Sequence, residues 1–165
     1  MAQEKKIDYD GDAAMSRVLT ELLNQFPGMS GVEIKFSLLS ETSGIGVYPV
    51  AGAAIQSEKE SVTGHVRQVC AYPFNVVYRA ALHNEGQKLK VKEFLDTLAR
   101  WLERQPVNIG GTVYQLTKYP DVPSGGRVIK TITRTSTAHL NTAYNDGVED
   151  WLVSLSLKYE NEFDR

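Results

Sequence analysis

Cysteine is almost missing from this chain: Cys70 is the only one in 165 residues. A lone thiol excludes an internal disulfide framework and any multi-cysteine metal site. It lies in the apolar stretch Val69-Cys70-Ala71-Tyr72, where a buried, inert thiol is the expected state. Histidine is scarce too, and His65, His83 and His139 stand far apart with no pair at metal-ligand spacing. An excess of one charge is also lacking, since 18 Lys and Arg face 20 Asp and Glu for a net charge of −2. No basic field points to nucleic acid. No apolar run reaches membrane-spanning length, and the opening Met1-Ala2-Gln3-Glu4-Lys5-Lys6 is too polar for a secretory signal. These absences imply a soluble protein folded in a cytoplasm, with neither a membrane nor a nucleic acid as partner.

Catalytic signatures are missing as well. There is no Gly-x-x-x-x-Gly-Lys-Ser/Thr phosphate loop, no Gly-x-Gly-x-x-Gly and no Gly-x-Ser-x-Gly elbow. Gly44-Ile45-Gly46 is only a fragment of a dinucleotide loop and is better explained by turn glycines. Gly110-Gly111 and Gly125-Gly126 carry ordinary loop chemistry. Glu58 and Glu60 flank Lys59 in a solvated run, and Glu149-Asp150 sit just past a turn, so neither pair marks an acid–base dyad. His65 and His139 both fall on strands and could meet in space, but as structural side chains. No catalytic, cofactor-binding or metal-binding residues are assigned, no cofactor is implied, and the chain does not read as an enzyme.

What is present is an ordinary globular composition, 42% hydrophobic and 23% charged, in a length that suits one domain over residues 1–165. Such a domain buries roughly 70% of its unfolded surface and needs no staple. Met15, Val18, Leu19, Leu22, Leu23 and Phe26 fall on one stripe, which predicts a helix from Asp12 to Phe26. Asp10 or Asp12 would cap it and Pro27-Gly28 would end it. Val32–Leu39 alternates as a half-buried strand with Val32, Ile34, Phe36 and Leu38 inward. Ser40 to Gly64 reads either as a strand with a return hairpin or as a flexible, partner-contacting loop. A partly ordered strand near Gly46–Ile55 is expected within it.

Val66–Ala80 reads as a long strand in which Pro73 implies an edge or a bulge. A second helix, Gln87–Gln105, carries Val91, Phe94, Leu95, Leu98, Trp101 and Leu102 on its stripe and stops at Pro106. Strands follow at Thr112–Tyr119, at the threonine-rich Val128–Tyr144 and at Trp151–Tyr159, with Asn145-Asp146-Gly147 as a hairpin turn. Lys130–Thr137 has few large apolar residues and suits a sheet edge open to a neighbouring subunit, or else a solvent-facing strand covered by its hairpin partner. Phe163, past the strand pattern, could pack within the chain or dock on a partner. The expected fold is α+β, a mixed and mainly antiparallel sheet with two amphipathic helices packed on one face.

Three segments also carry a resemblance. They are Ala71-Tyr72-Pro73-Phe74-Asn75-Val76-Val77-Tyr78-Arg79, Val91-Lys92-Glu93-Phe94-Leu95-Asp96-Thr97-Leu98-Ala99-Arg100-Trp101-Leu102, and Trp151-Leu152-Val153-Ser154-Leu155-Ser156-Leu157-Lys158-Tyr159-Glu160. In this order the chain resembles the small minor capsid proteins of tailed bacteriophages and prophages, which are similar to tail-terminator proteins. The resemblance spans the first helix to the end, omits Ser40–Gly64, and rests on packing patterns rather than chemical signatures. It implies a virion component assembled in a bacterial cytoplasm. Such a component acts in head–tail joining or tail completion as a ring-like homo-oligomer that meets head-completion or tail-tube proteins.

Some members of that family carry a chloramphenicol-resistance label, which makes a small acetyltransferase the alternative. Its motif needs a histidine, three residues, then Asp-Gly, because the histidine serves as base. Here Leu140 to Asn145 separate His139 from Asp146-Gly147, so the spacing is wrong. A ligand-binding adaptor module is the remaining alternative.

Overall fold

The computed structural model describes residues 6–29 and 31–165; the polar start of the chain, residues 1–5, lies outside the described residues. The first helix, α1, runs Tyr9–Leu23 with Met15, Val18, Leu19, Leu22 and Leu23 buried on its stripe. Its cap is Asp8, whose side chain accepts from Gly11 N at 3.2 Å, and not Asp10 or Asp12 as the sequence suggested. Those two acids occupy the first turn, where they favour the helix dipole. Asp12 reaches sideways and accepts from Ala53 N at 2.9 Å.

Strands β1 (Ile34–Phe36), β2 (Gly44–Pro49), β3 (Ala54–Glu60) and β4 (His65–Ala81) follow. Then come α2 (Glu85–Leu102), β5 (Val107–Ile109), β6 (Thr112–Tyr114), β7 (Arg127–Arg134), β8 (His139–Ala143), a 3-10 turn at Asn145–Gly147 and β9 (Val148–Asp164). The fold is α+β. Its main sheet has the order β1-β2-β4-β9-β7, with β3 also pairing β4 and β8 also pairing β9. Every pairing in it is antiparallel except β1 with β2. The short β5–β6 hairpin stands apart.

The spine is the pairing of β4 with β9, unbroken from His65↔Asp164 to Ala81↔Val148. Strands of that length span about 55 Å. Alternation puts Val66, Cys70, Tyr72, Phe74 and Val76 of β4 on one face with Val153, Leu155, Leu157 and Tyr159 of β9, all buried. Both helices cover this face. Ser16 on α1 meets the Tyr72 hydroxyl at 2.7 Å, and Phe94 on α2 lies edge-on to Tyr78 at 5.5 Å. Phe26, just past α1, joins the two helices, edge-on to Phe94 and to Trp101 of α2. Full burial of side chains this size stabilises by about 1.5–3 kcal/mol each. Among the described residues, no helix lies on the opposite face.

Several expectations need correction. Only Ile34–Phe36 of Val32–Leu39 is strand, and of its four inward candidates only Ile34 is buried. Val32, Phe36 and Leu38 are 46%, 43% and 56% exposed, because this outermost strand ends at Ser37, whose φ is 48°. Residues 40–64 are not one loop: β2 and β3 both lie against β4. Gly44 and Gly46 are therefore strand residues. Thr112–Tyr119 keeps only three strand residues, folded back on β5 through Gly110-Gly111, whose φ values of 60° and 88° suit a tight primed turn. The threonine-rich stretch is two strands, β7 and β8, laid end to end along β9.

Pro73 sits in a central strand, not at an edge. Its carbonyl accepts from Val50 N at 3.0 Å. A strand residue points its N–H and C=O toward the same neighbour. The missing Pro73 donor therefore faces the gap between the end of β2 and the start of β3, where no ladder bond is lost.

Candidate assembly surfaces

The sheet's outer strands differ in how their free backbone groups are met. On β1, the Asn24 side-chain amide accepts from Ile34 N at 2.8 Å and donates to Ile34 O at 2.9 Å, imitating one rung of a further strand. On β3, Ile7 bridges to Ala54, and Ile55 N donates to Lys6 O at 2.9 Å. On β7, Ile132 N donates to the Tyr119 hydroxyl at 3.2 Å and Arg134 N to Glu103 Oε2, also at 3.2 Å. The threonine strand is thus an edge, one of the two readings its composition left open, but two of its outward N–H groups are already taken. Unpaired edges invite strand addition, and side chains that occupy them discourage it.

At the end of the ladder near β8, charge is buried. Arg79 Nε and Nη2 donate to the two Asp150 oxygens at 2.7 and 2.9 Å, and the Tyr144 hydroxyl donates to Oδ2 at 2.9 Å. The Arg79 guanidinium also lies 5.1 Å from the Tyr144 ring centre. Burial pushes the Asp150 carboxyl up, but the Arg79 and Tyr144 bonds outweigh it and hold the group below its ordinary 3.8. Glu149 pairs with Lys88 at 3.1 Å and accepts from Trp151 Nε1. Glu149-Asp150 therefore has the basic context that the sequence order conceals, since Arg79 comes 71 residues earlier.

A second cluster of the same kind joins α1, β7 and β9. Arg127 donates to both Asp8 oxygens at 2.7 and 2.9 Å, and Tyr159 donates to Asp8 Oδ2 at 2.7 Å. Burial raises the Asp8 carboxyl, and the Arg127, Tyr159 and Gly11 bonds reverse this to leave it below its ordinary value. Gly11 is required here, because a Cβ would lie 2.0 Å from Asp8 Oδ2 and 2.3 Å from the Tyr159 hydroxyl. Cys70 is fully buried beside Tyr159, and burial pushes its thiol up to about 11, as an inert thiol requires.

Past Asp8 and Tyr159 the ladder continues to its far end. There the uncovered face carries an exposed ion network. Arg67 donates to both Glu160 oxygens at 3.0 and 2.9 Å and lies 3.6 Å from Glu162. Lys130 lies 3.6 Å from Glu160, and His65 Nδ1 is 2.8 Å from Asp164. The β3–β4 turn and the C-terminus meet at this end: Arg165 N donates to Gly64 O at 2.9 Å, and its guanidinium reaches Glu60 and Glu58. Val62 at the turn is fully exposed. Phe163 is not a free tail residue but a half-buried member of β9 opposite Val66.

The three histidines stay apart and exposed. His139 stands opposite Leu152 and His65 opposite Asp164, which separates them by about 40 Å along the strand. His65 has a carboxylate beside it, but on the open sheet surface; His139 Nδ1 meets only Thr137 O at 2.8 Å. Among the described residues, no three Cys, His, Asp or Glu side chains gather as metal ligands, and no helix is long and apolar enough to cross a membrane. An open, largely apolar groove beside α1 is lined by Ala13, Ser16, Arg17, Thr20, Glu21 and Phe36. No protein-family model and no curated protein matches the chain.

Proposed function

We propose that the chain is a structural assembly subunit, a phage or prophage minor capsid or tail-terminator protein that acts in head–tail joining or tail completion. It works by protein–protein contact, as a ring-like homo-oligomer on head-completion or tail-tube proteins, and resides in the virion after assembly in a bacterial cytoplasm. Support comes from one convergence. The β3–β4 turn, which closes the 40–64 segment expected to contact partners, and the end of β9, where a contact through Phe163 was one expectation, meet at one end of the ladder, with the start of β7 beside them. Gly126 O there accepts from Glu162 N at 3.1 Å. A ring subunit needs two unlike complementary surfaces, and the β7 edge and the β3–β1 edge lie on opposite sides of this sheet. The phage assignment itself rests on the resemblance of the three packing segments.

Light scattering on the purified chain, with sedimentation against tail tubes, tests the proposal. Self-association or co-sedimentation with the tubes is expected. A strict monomer that also fails to bind tubes contradicts it.

A further inference from the structure

The hydrogen bonds of β7 divide cleanly. Thr135 N donates inward to Ser154 O at 2.8 Å, so alternate residues Ile132 and Arg134 point their backbone groups away from β9. Their N–H groups end on Tyr119 and Glu103. Tyr119 is itself pinned, since its hydroxyl donates to Leu102 O at 2.7 Å and its ring lies under Arg104 at 5.7 Å. Arg104 in turn donates to Thr117 O and accepts from Gln115 Nε2 at 3.0 Å through its carbonyl. The residues that follow α2 therefore hold a tyrosine and a glutamate against the strand like a plug.

The strand behind the plug complements itself. Lys130-Thr131-Ile132-Thr133-Arg134 reads basic, Thr, Ile, Thr, basic in either direction. An antiparallel partner centred on Ile132 would be a second copy of the same strand. That register places Ile132 opposite Ile132, with both outward N–H and C=O groups exchanged, and each Thr131 opposite a Thr133 on the uncovered face. Cross-strand threonine pairs are favourable. It also places Lys130, the bulged residue of β7, opposite Arg134, and since Arg134 has its carboxylate only while Glu103 is in place, the open pairing carries two like-charge contacts that added salt relieves. Lys130 lies 3.6 Å from Glu160, and Arg134 Nε lies 2.8 Å from Glu103 Oε1.

We propose that Tyr119 and Glu103 hold β7 closed against a second copy of this chain, and that without them two β7 strands pair about a two-fold axis at Ile132. The proposal stands on the geometry of β7 and not on the assembly role. Closed, the subunit is guarded from a symmetric side contact that would compete with any other use of this edge.

The test removes the plug. Tyr119→Ala/Glu103→Ala is expected to double its mass in light scattering at concentrations where the wild-type β7 edge contributes no contact. At dilutions where the variant is monomeric, amide exchange at Ile132 and Arg134 should rise at least tenfold with the β4–β9 ladder unchanged. Glu103→Gln alone keeps the Tyr119 hydroxyl and an acceptor for Arg134 N, and should retain the wild-type mass. The register has its own readout. Oxidation should cross-link a mixture of plug-free Thr131→Cys and Thr133→Cys chains, and neither alone, because only that pair is directly opposed.

A folded plug-free variant that keeps the wild-type mass at every concentration overturns the proposal, as does equal association of Glu103→Gln. Should the double variant fail to fold, Glu103→Ala alone decides, with a smaller rise expected and none overturning it. Wild-type binding to tail tubes alongside unaltered plug variants would sink the plug and spare the assembly role. Dimerisation of the plug-free variant without tube binding would do the reverse.

Discussion

The two ends of the β4–β9 ladder use the same chemistry, an arginine across from a carboxylate, to opposite effect. Near β8, the Arg79 and Asp150 side chains are 19% and 7% exposed, and Tyr144 completes the set. At the far end, Arg67 and Glu160 are 54% and 20% exposed, and Glu162 and Lys130 compete for the same partners. Withdrawing one partner of a mostly buried pair strands a charge that water reaches only in part, at a cost of up to about 3–5 kcal/mol. Water and salt replace a partner at an exposed site. The first end is thus committed to the fold, and the second has ion pairs that another protein can take over. The difference lies in burial, not in residue type.

The largest effect expected from breaking this contrast is at the buried end. Asp150→Ala should lose up to about 3–5 kcal/mol in urea unfolding, because Arg79 is left without its carboxylate. Gly11→Ala comes next. Its Cβ cannot coexist with the Asp8 carboxylate and the Tyr159 hydroxyl, so the substitution should cost more than the helical preference of alanine returns, by about 1–3 kcal/mol.

Acid gives a graded version of the same comparison. Asp8 and Asp150 are both held below 3.8 in the fold, so their stabilisation is fully present above that pH. It is lost as pH falls through their lower folded values. With Glu149 and Glu160 also held below their ordinary 4.5, urea midpoints should hold steady down to about pH 5 and drop below it, and Asp150→Ala should flatten that drop. Cys70 sharpens the buried side: with its thiol raised to about 11, it should react with a disulfide reagent only at the rate of global unfolding. The smallest expected effect on stability is at the exposed end. Arg67→Ala should leave the urea midpoint unchanged and, under the proposed assembly role, weaken a salt-dependent association with tail tubes.

How much of this was legible in the chain depends on what each residue needs for its role. The apolar stripes of α1 and α2 and the alternation of β9 are local patterns, and they predict the elements that form the core. The same alternation misleads at Val32, Phe36 and Leu38, because a pattern marks a strand face but not whether a layer exists to cover it. Pro73 reads as an edge signal because the sequence does not show that β2 and β3 leave a gap beside it. The reading of Asp10 or Asp12 as the cap of α1 missed Asp8, because that choice falls to partners more than a hundred residues away, Arg127 and Tyr159.

The candidate surfaces were legible only in part. The threonine-rich composition of β7 marks a strand weakly committed to a core, and the structure places it at the edge. Its occupation by Tyr119 and Glu103 has no sequence signal, since it depends on how the chain returns after α2. The meeting of residues 61–64 with the C-terminus likewise follows from the register of two strands separated by a helix, a hairpin and two further strands.

Hydrogen exchange along the ladder, free and bound to tail tubes, addresses the assembly role most directly. Binding should slow exchange at the far end, in residues 58–67 and 160–165, and leave the Tyr72–Tyr78 and Trp151–Leu157 segments as they are in the free chain. Binding with no change at the far end, or with protection confined to the buried Arg79–Asp150 end, would contradict the account.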